Sequence, residues 1–241
     1  MNRFIEATHQ YFNGAIEYIS NSKFMEMFTG GFDDSKKNMI AHASAKGKNN
    51  VHNLTKNDFL NVLDLKNGIA CNWGDCIHDS VHLRLTYKQM PKQPYLFDVV
   101  EKFIDQFGDD WISEDKIWTD EYEIGATLDM HKMDNGTLIV GDIKTNNIMD
   151  KTSRGKMAKP LDYLRIRNKD KVSLQTSLYK EYLVCSDKYP EITKDTPFKL
   201  QGFDWDGYVW TLVELETIDV QPILEIRKQE LEKARLVKNM F

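Results

Sequence analysis

The stretch EIGATLDMHKMDNGTLIVGDIKTNN, residues 123–147, decides the fold. Its apolar residues recur at alternate positions, the period of a strand with one buried face. Asn135-Gly136 in its middle is a strong hairpin signal, because a two-residue type I′ loop needs positive φ at both positions. That loop fixes a register in which Asp134 faces Thr137 and Asp129 comes opposite Asp142. Directly opposed side chains have Cβ atoms roughly 4.5–5.5 Å apart. Two carboxylates so placed repel each other unless a cation neutralises them. Alternation along the second strand sets Asp142 and Lys144 on one side and Ile143 in the opposite layer. The bland alternative is a salt bridge between Asp142 and Lys144 at a strand end, with Asp129 a solvated hairpin residue.

A divalent metal would relieve the repulsion. Carboxylates without thiolates suit Mg²⁺ or Mn²⁺. Lys144, on the same face, would hold or deprotonate a water, or stabilise charge on a phosphate. Downstream, SLQTSLYKEY places Gln175 and Tyr179 as neighbours on one helical face. Leu174, Leu178 and Leu183 fall on another, the core face.

Outward from this centre the pattern is mixed. Residues 4–28 carry apolar and aromatic side chains at helical spacing, broken by Gly14, and residues 33–58 look like a polar loop. Helices are expected over 59–65, 73–88, 95–107, 172–186 and 219–238. In 73–88 the stripe is Trp73, Ile77, Val81 and Leu85. Strands are expected within 116–145, and over 199–205 and 208–216 around an Asp206-Gly207 turn. With 241 residues, this predicts a single α/β domain. It has a helical N-terminal region (about 1–110) and a core over about 70–216, whose small mixed central sheet is flanked by helices.

The motifs GATLD, GDIKT and LQTSLY together resemble the PD-(D/E)XK nuclease superfamily, in particular its RecB-type branch with a Q-x-x-x-Y motif. The resemblance covers roughly residues 70–185. It implies a restriction-endonuclease-like core and a metal-dependent deoxyribonuclease, an exonuclease of phage or bacterial DNA recombination, repair or processing. NWGDCIH supplies the branch's G-x-x-x-H motif through Gly74 and His78. The implied metal ligands are His78, Asp129, Asp142 and the carbonyl of Ile143, around one or two Mg²⁺ or Mn²⁺ ions. Lys144 is the implied catalytic lysine, with Gln175 and Tyr179 positioning it, the metal water or the DNA backbone. A further acid often precedes the hairpin in this branch. Glu114 is the best match and Glu123 a weaker one. His82 stands where the branch often has a Glu. The other histidines, His9, His42, His52 and His131, lack such context and read as structural or surface residues.

Between Lys144 and Lys171 the chain holds six Lys and three Arg against three Asp, a net of +6 in a chain whose total is −5. Lys151, Arg154, Lys156, Lys159, Arg165 and Arg167 would make a track for a phosphate backbone. Tyr163 or Trp118 would stack on a base. The expected partner is DNA, single- or double-stranded, with a free end; an oligomer or a recombination partner is compatible. Three cysteines without a C-x-x-C pair argue against a disulfide framework, a thiolate zinc site or an iron–sulfur cluster. No apolar run is long enough to span a membrane and no secretory h-region opens the chain, so a cytoplasmic location is expected. The alternative function is a nucleic-acid-binding or assembly protein that keeps the fold without cutting.

Overall fold

The computed structural model describes residues 2–8, 10–30, 34–48, 52–152 and 155–238; His9 and Arg154 lie outside these. Asn135 and Gly136 both take positive φ, 48° and 78°, and join strands β5 (Ile124–Asp134) and β6 (Thr137–Lys144). The predicted register holds from Asp134↔Thr137 to Met130↔Gly141, where the ladder ends. Asp129 and Asp142 therefore do not pair, because the two strands diverge just before reaching them.

The first twenty residues are strands, not a helix: β1 (Asn2–Ile5), β2 (Gln10–Asn13) and β3 (Ile16–Ser20), with a 3₁₀ turn over Glu6–Thr8. Gly14 at φ 61° opens the two-residue turn that pairs Asn13 with Ile16. Helix α1 (Asn21–Thr29) follows, capped by the Ser20 hydroxyl. The expected polar loop contains α2 (Asp34–Lys46). The two short helices expected next are one long helix, α3 (Lys56–Tyr87), started by a Thr55/Asp58 capping box. Then come α4 (Pro94–Phe107), β4 (Ile112–Thr119), α5 (Asn168–Val184), β7 (Phe198–Trp205), β8 (Trp210–Glu214) and α6 (Gln221–Lys238). These are a mixed α/β fold with one mixed eight-stranded sheet.

Strand β5 is the hub. Its whole inner length pairs antiparallel with β4 on one edge. The other edge is shared: β3 pairs parallel at Ile124 and Gly125, and β6 pairs antiparallel from Met130 onward. Between them the edge is open over residues 126–129. Beyond β6, β7 pairs parallel and β8 antiparallel. One core packs α1, α5 and α6 on one face of the sheet, through residues such as Phe24, Leu178 and Leu224. A second packs α3 and α4 on the other, through Ile77, Val81, Leu85 and Phe103. Trp73 ends the predicted stripe outside this core, 37% exposed and stacked on Tyr95.

Side-chain alternation slips once in each of β4 and β5, at the same level. Ile124, Ala126 and Leu128 enter the first core, yet Met130 enters the second. In β4, Ile117 enters the first core, whereas the Ser113 hydroxyl meets His82 on α3. Ser113 pairs with Met130 and Asp115 with Leu128, but the intervening Glu114–Asp129 pair is missing. Glu114 sits at φ 53°, a left-handed conformation costly for a residue with a Cβ. The slip brings His131 of β5 and Asp115 of β4 to the same face, where both are buried. His131 Nε2 lies 2.9 Å from Asp115 Oδ2, Tyr189 Oη donates to the same oxygen at 2.7 Å, and Lys188 pairs with Oδ1. His131 is thus a buried structural residue.

Gly125 lies flat against Tyr11: a Cβ there would stand 2.1 Å from Tyr11 Cγ. Gly125→Ala should push the β1–β3 ribbon off the sheet, cost about 1–3 kcal/mol, and speed protease cleavage within the first twenty residues. Burial works against ionisation of Asp115, but hydrogen bonds from His131, Lys188 and Tyr189 outweigh it and hold its pKa at about 2, against an ordinary 3.8. A depressed carboxylate pKa contributes stability above the unfolded value and loses it as pH falls through the folded value. Between pH 4 and pH 2 the wild type should therefore lose about 2 kcal/mol more than Asp115→Asn, measured by urea unfolding at each pH.

Candidate functional site

The open edge of β5 and the departure of β6 create a fork, and side chains from both faces of the sheet enter it. Helix α3 brings His78 from one side. Gly74, one turn earlier, lets this helix approach the residue after Lys144: a Cβ there would meet Thr145 Oγ1 at 3.3 Å. Helix α5 brings Gln175 and Tyr179 from the other side. The cavity they enclose measures about 680 Å³ and is lined by His78, Glu114, Asp129, Gln175 and Tyr179, with Phe4 and Tyr11 of the ribbon as a further wall.

Asp129 Oδ2 accepts the Ile143 backbone N–H at 2.9 Å, replacing the ladder bond that the diverging strands give up. The same oxygen lies 3.5 Å from His78 Nδ1. His78 Nε2 is 3.0 Å from the Ile143 carbonyl. A carbonyl only accepts, so Nε2 carries a proton, and Nδ1 is the ring nitrogen turned toward the acids. This orientation suits a metal ligand, whose second ring nitrogen usually donates to a carbonyl or carboxylate. Ligand atoms of His78, Glu114 and Asp129 all come within 4.8 Å of one another.

The arrangement modifies the predicted ligand set. The Ile143 carbonyl already accepts from His78 and, at 3.2 Å, from Lys144 Nζ. It orients those two side chains. Glu114 joins His78 and Asp129, because its left-handed backbone turns it into the cavity. Asp142 stands outside that trio. It is fully buried, and among the described residues neither of its oxygens receives a well-formed hydrogen bond. Oδ2 lies 2.5 Å from Lys144 Nζ. The predicted shared face of Asp142 and Lys144 is present.

The electrostatics follow from this crowding. Burial, then the charge of Asp129, push Glu114 up to about 7. Burial lifts Asp142 well above the carboxylate range, and Lys144 only partly opposes it. Burial disfavours the Lys144 ammonium, but Asp142 and Asp129 outweigh that and raise its pKa, so Lys144 is a cation at neutral pH. Tyr179 is raised by burial and by the charges of Asp129 and Asp142, and stays protonated. Gln175 Nε2 donates to Tyr179 Oη at 2.6 Å, which leaves the phenol proton to be donated.

Several expected residues lie elsewhere. His82 binds Ser113 and Thr86. Glu123 pairs with Arg235. Trp118 packs edge-on against Tyr11, whereas Tyr163 is exposed. Of the basic track, Lys151, Lys156, Lys159 and Arg165 are exposed, and Arg167 is tied to Asp170 at 2.8 Å. A second cavity, about 260 Å³, is lined by Lys144, Asn146, Lys171 and Gln175, and shares Asn21, Ser22 and Gln175 with the first. The sequence reading missed Lys116, Asp75 and Asp79 as cavity residues. The strand period was a usable signal for Lys116, two positions after Glu114. It also missed Asp204, whose Oδ2 accepts from Ile148 N at 2.9 Å and ties down the loop after Lys144.

No known family model matches the chain, and no curated protein matches it.

Removing Lys144 alone leaves a buried, uncompensated carboxylate. Lys144→Ala should destabilise the fold by about 3–5 kcal/mol, and the double change Asp142→Asn with Lys144→Met should recover most of that. Thermal and urea unfolding of the three proteins measure the difference.

Proposed function

We propose that this chain is a metal-dependent deoxyribonuclease of the PD-(D/E)XK type, acting at DNA ends. The observation that carries the proposal is the convergence of His78, Glu114 and Asp129 beside the buried Asp142–Lys144 pair. The resemblance of GATLD, GDIKT and LQTSLY to the RecB-type branch points the same way.

The residues present fit a divalent cation. Glu114, Asp129, Asp142 and the His78 imidazole share a small region with the ammonium groups of Lys144 and Lys116, and the buried Asp142 oxygens have Lys144 as charge partner but no well-formed hydrogen bond. His78 Nδ1, Glu114 and Asp129 would hold Mg²⁺ or Mn²⁺, with Asp142 adjoining. When bound, such an ion polarises the phosphate and lowers the pKa of its attacking water.

The chain's own groups supply the rest. Lys144, kept cationic by Asp142 and Asp129, stabilises negative charge that develops on a phosphate oxygen during in-line displacement. It does not act as the proton acceptor while charged. Tyr179, protonated and held by Gln175, donates a hydrogen bond into the cavity and orients the scissile phosphate. The smaller cavity leads past Gln175 to Lys171, and the exposed Lys151, Lys156, Lys159 and Arg165 extend a positive path for the backbone.

End-labelled linear single- and double-stranded DNA and a closed circle, each with Mn²⁺, Mg²⁺ or EDTA, test this. Linear DNA should be degraded with metal and spared in EDTA. Asp129→Asn should lower the rate about 10²–10³-fold, as should Lys144→Ala at a temperature where circular dichroism shows it folded. Cutting of the circle would make the protein an endonuclease. Retained DNA binding without cleavage under every condition would favour a binding or assembly role.

A further inference from the structure

The slip of alternation in β4 and β5 is held from behind the sheet. Asp115 and His131 are not cross-strand partners: Asp115 pairs with Leu128, and His131 with Ile112. In regular strands they would also face opposite sides, since His131 follows Leu128 by an odd number of positions. They meet because both strands change phase between them. Both side chains are buried, 7% and 2% exposed. The His131 ring also lies edge-on against Tyr189, with centroids 5.1 Å apart. Lys188 and Tyr189, in the segment after α5, close the cluster from a third element.

Alternation from Asp115 and Leu128 sets Glu114 and Asp129 on the α3 side; the slip adds Ser113 and Met130 to that side and breaks the Glu114–Asp129 ladder pair. A regular strand with Leu128 inward and Met130 inward would carry both cores' contacts on one face. Instead Asp129 and Met130, adjacent in sequence, both point to the α3 side. Glu114 holds a left-handed conformation that its own side chain disfavours, so something must oppose its relaxation. Among the described residues, the side-chain hydrogen bond that bridges β4 and β5 at this level is that of Asp115 with His131.

We propose that Asp115 and His131, with Tyr189 and Lys188, form a clamp that keeps the two strands out of phase, holds Glu114 and Asp129 unpaired, and keeps Glu114 in the left-handed conformation that brings both acids to His78. They are positioning residues, acting through the backbone from the face opposite the cavity. The proposal rests on the reading of His78, Glu114 and Asp129 as a metal site, but its geometric half stands apart from any metal. Release of the clamp lets Asp129 turn away, and the Ile143 N–H then loses its acceptor.

The test compares wild type, His131→Phe, His131→Gln and Leu224→Ala, the last a core change on α6 that removes none of the clamp's hydrogen bonds. Glutamine still offers an N–H to Asp115, and phenylalanine does not. Two readouts are taken below each protein's melting range. Exchange of the Ile143 amide, followed by NMR in EDTA, reports the Asp129 contact. Titration with Mn²⁺ alone, followed by the EPR signal of the free ion, reports ligand convergence. In His131→Phe the Ile143 amide should exchange at least ten-fold faster, and the Mn²⁺ Kd should rise about 10–100-fold. His131→Gln should stay near wild type in both. Leu224→Ala should lose stability and change neither. Unchanged Ile143 exchange in His131→Phe, or the same change in Leu224→Ala, overturns the clamp. If wild type binds no Mn²⁺, the metal reading fails, and Ile143 exchange still decides the clamp.

Discussion

The divergence of β5 and β6 after Met130 and Gly141 is the constraint on which the rest of the structure depends. Up to that point the two strands satisfy each other's backbone groups. Past it, the N–H and carbonyl of Ile143 lie in the interior of the protein and lose their partners. A buried backbone group left unpaired costs about 1–3 kcal/mol. The protein meets both needs with side chains: Asp129 accepts from the N–H, while His78 and Lys144 donate to the carbonyl. The groups that seal the torn ladder are the groups of the candidate site. Geometry there is fixed by backbone demand before any ligand arrives.

The price of this arrangement is electrostatic. Glu114 and Asp129, both partly buried, and Asp142, fully buried, are brought into one region. Against these acids, with Asp75 and Asp79 beside them, stand the ammonium groups of Lys144 and Lys116 and the His78 imidazole. The imbalance shows in Glu114, which is driven toward half-protonation near neutral pH. It shows again in Asp142, whose oxygens have a charge partner but no properly aligned donor. A site under such tension favours cations, and it discourages anions unless a cation comes with them.

The centre of the fold was legible because its signals are local. Asn135-Gly136 fixed a turn, the turn fixed a register, and the register brought Asp142 and Lys144 to one face. Gln175 and Tyr179 needed only helical spacing. Elsewhere local patterns misled. The aromatics of residues 4–28 fit a helical stripe, yet Asn13-Gly14 carried a hairpin signal like the one further along, and the strands won because they extend an existing sheet. The gap expected between two helices closes into α3, where Gly68 is tolerated. The slip at Glu114 and Asp129 has no sequence signature, because it depends on His131 meeting Asp115, Lys188 and Tyr189 across distant segments. The expected Asp129–Asp142 partnership failed for that reason, and Glu114 entered the cavity for the same one.

The ribbon of β1, β2 and β3 reaches the sheet through two residue pairs, Ile19 with Ile124 and Ser20 with Gly125. As the chain is synthesised, these strands emerge well before their docking strand, which follows helices α1 to α4. Until then β3 presents a bare edge of unpaired backbone groups, the kind of surface that recruits other chains. Closing so long a loop for so short a ladder is slow in entropic terms. Tyr11, seated on Gly125, supplies the side-chain contact that makes the closure worthwhile. This part of the cavity wall thus waits for a strand that is made long after it.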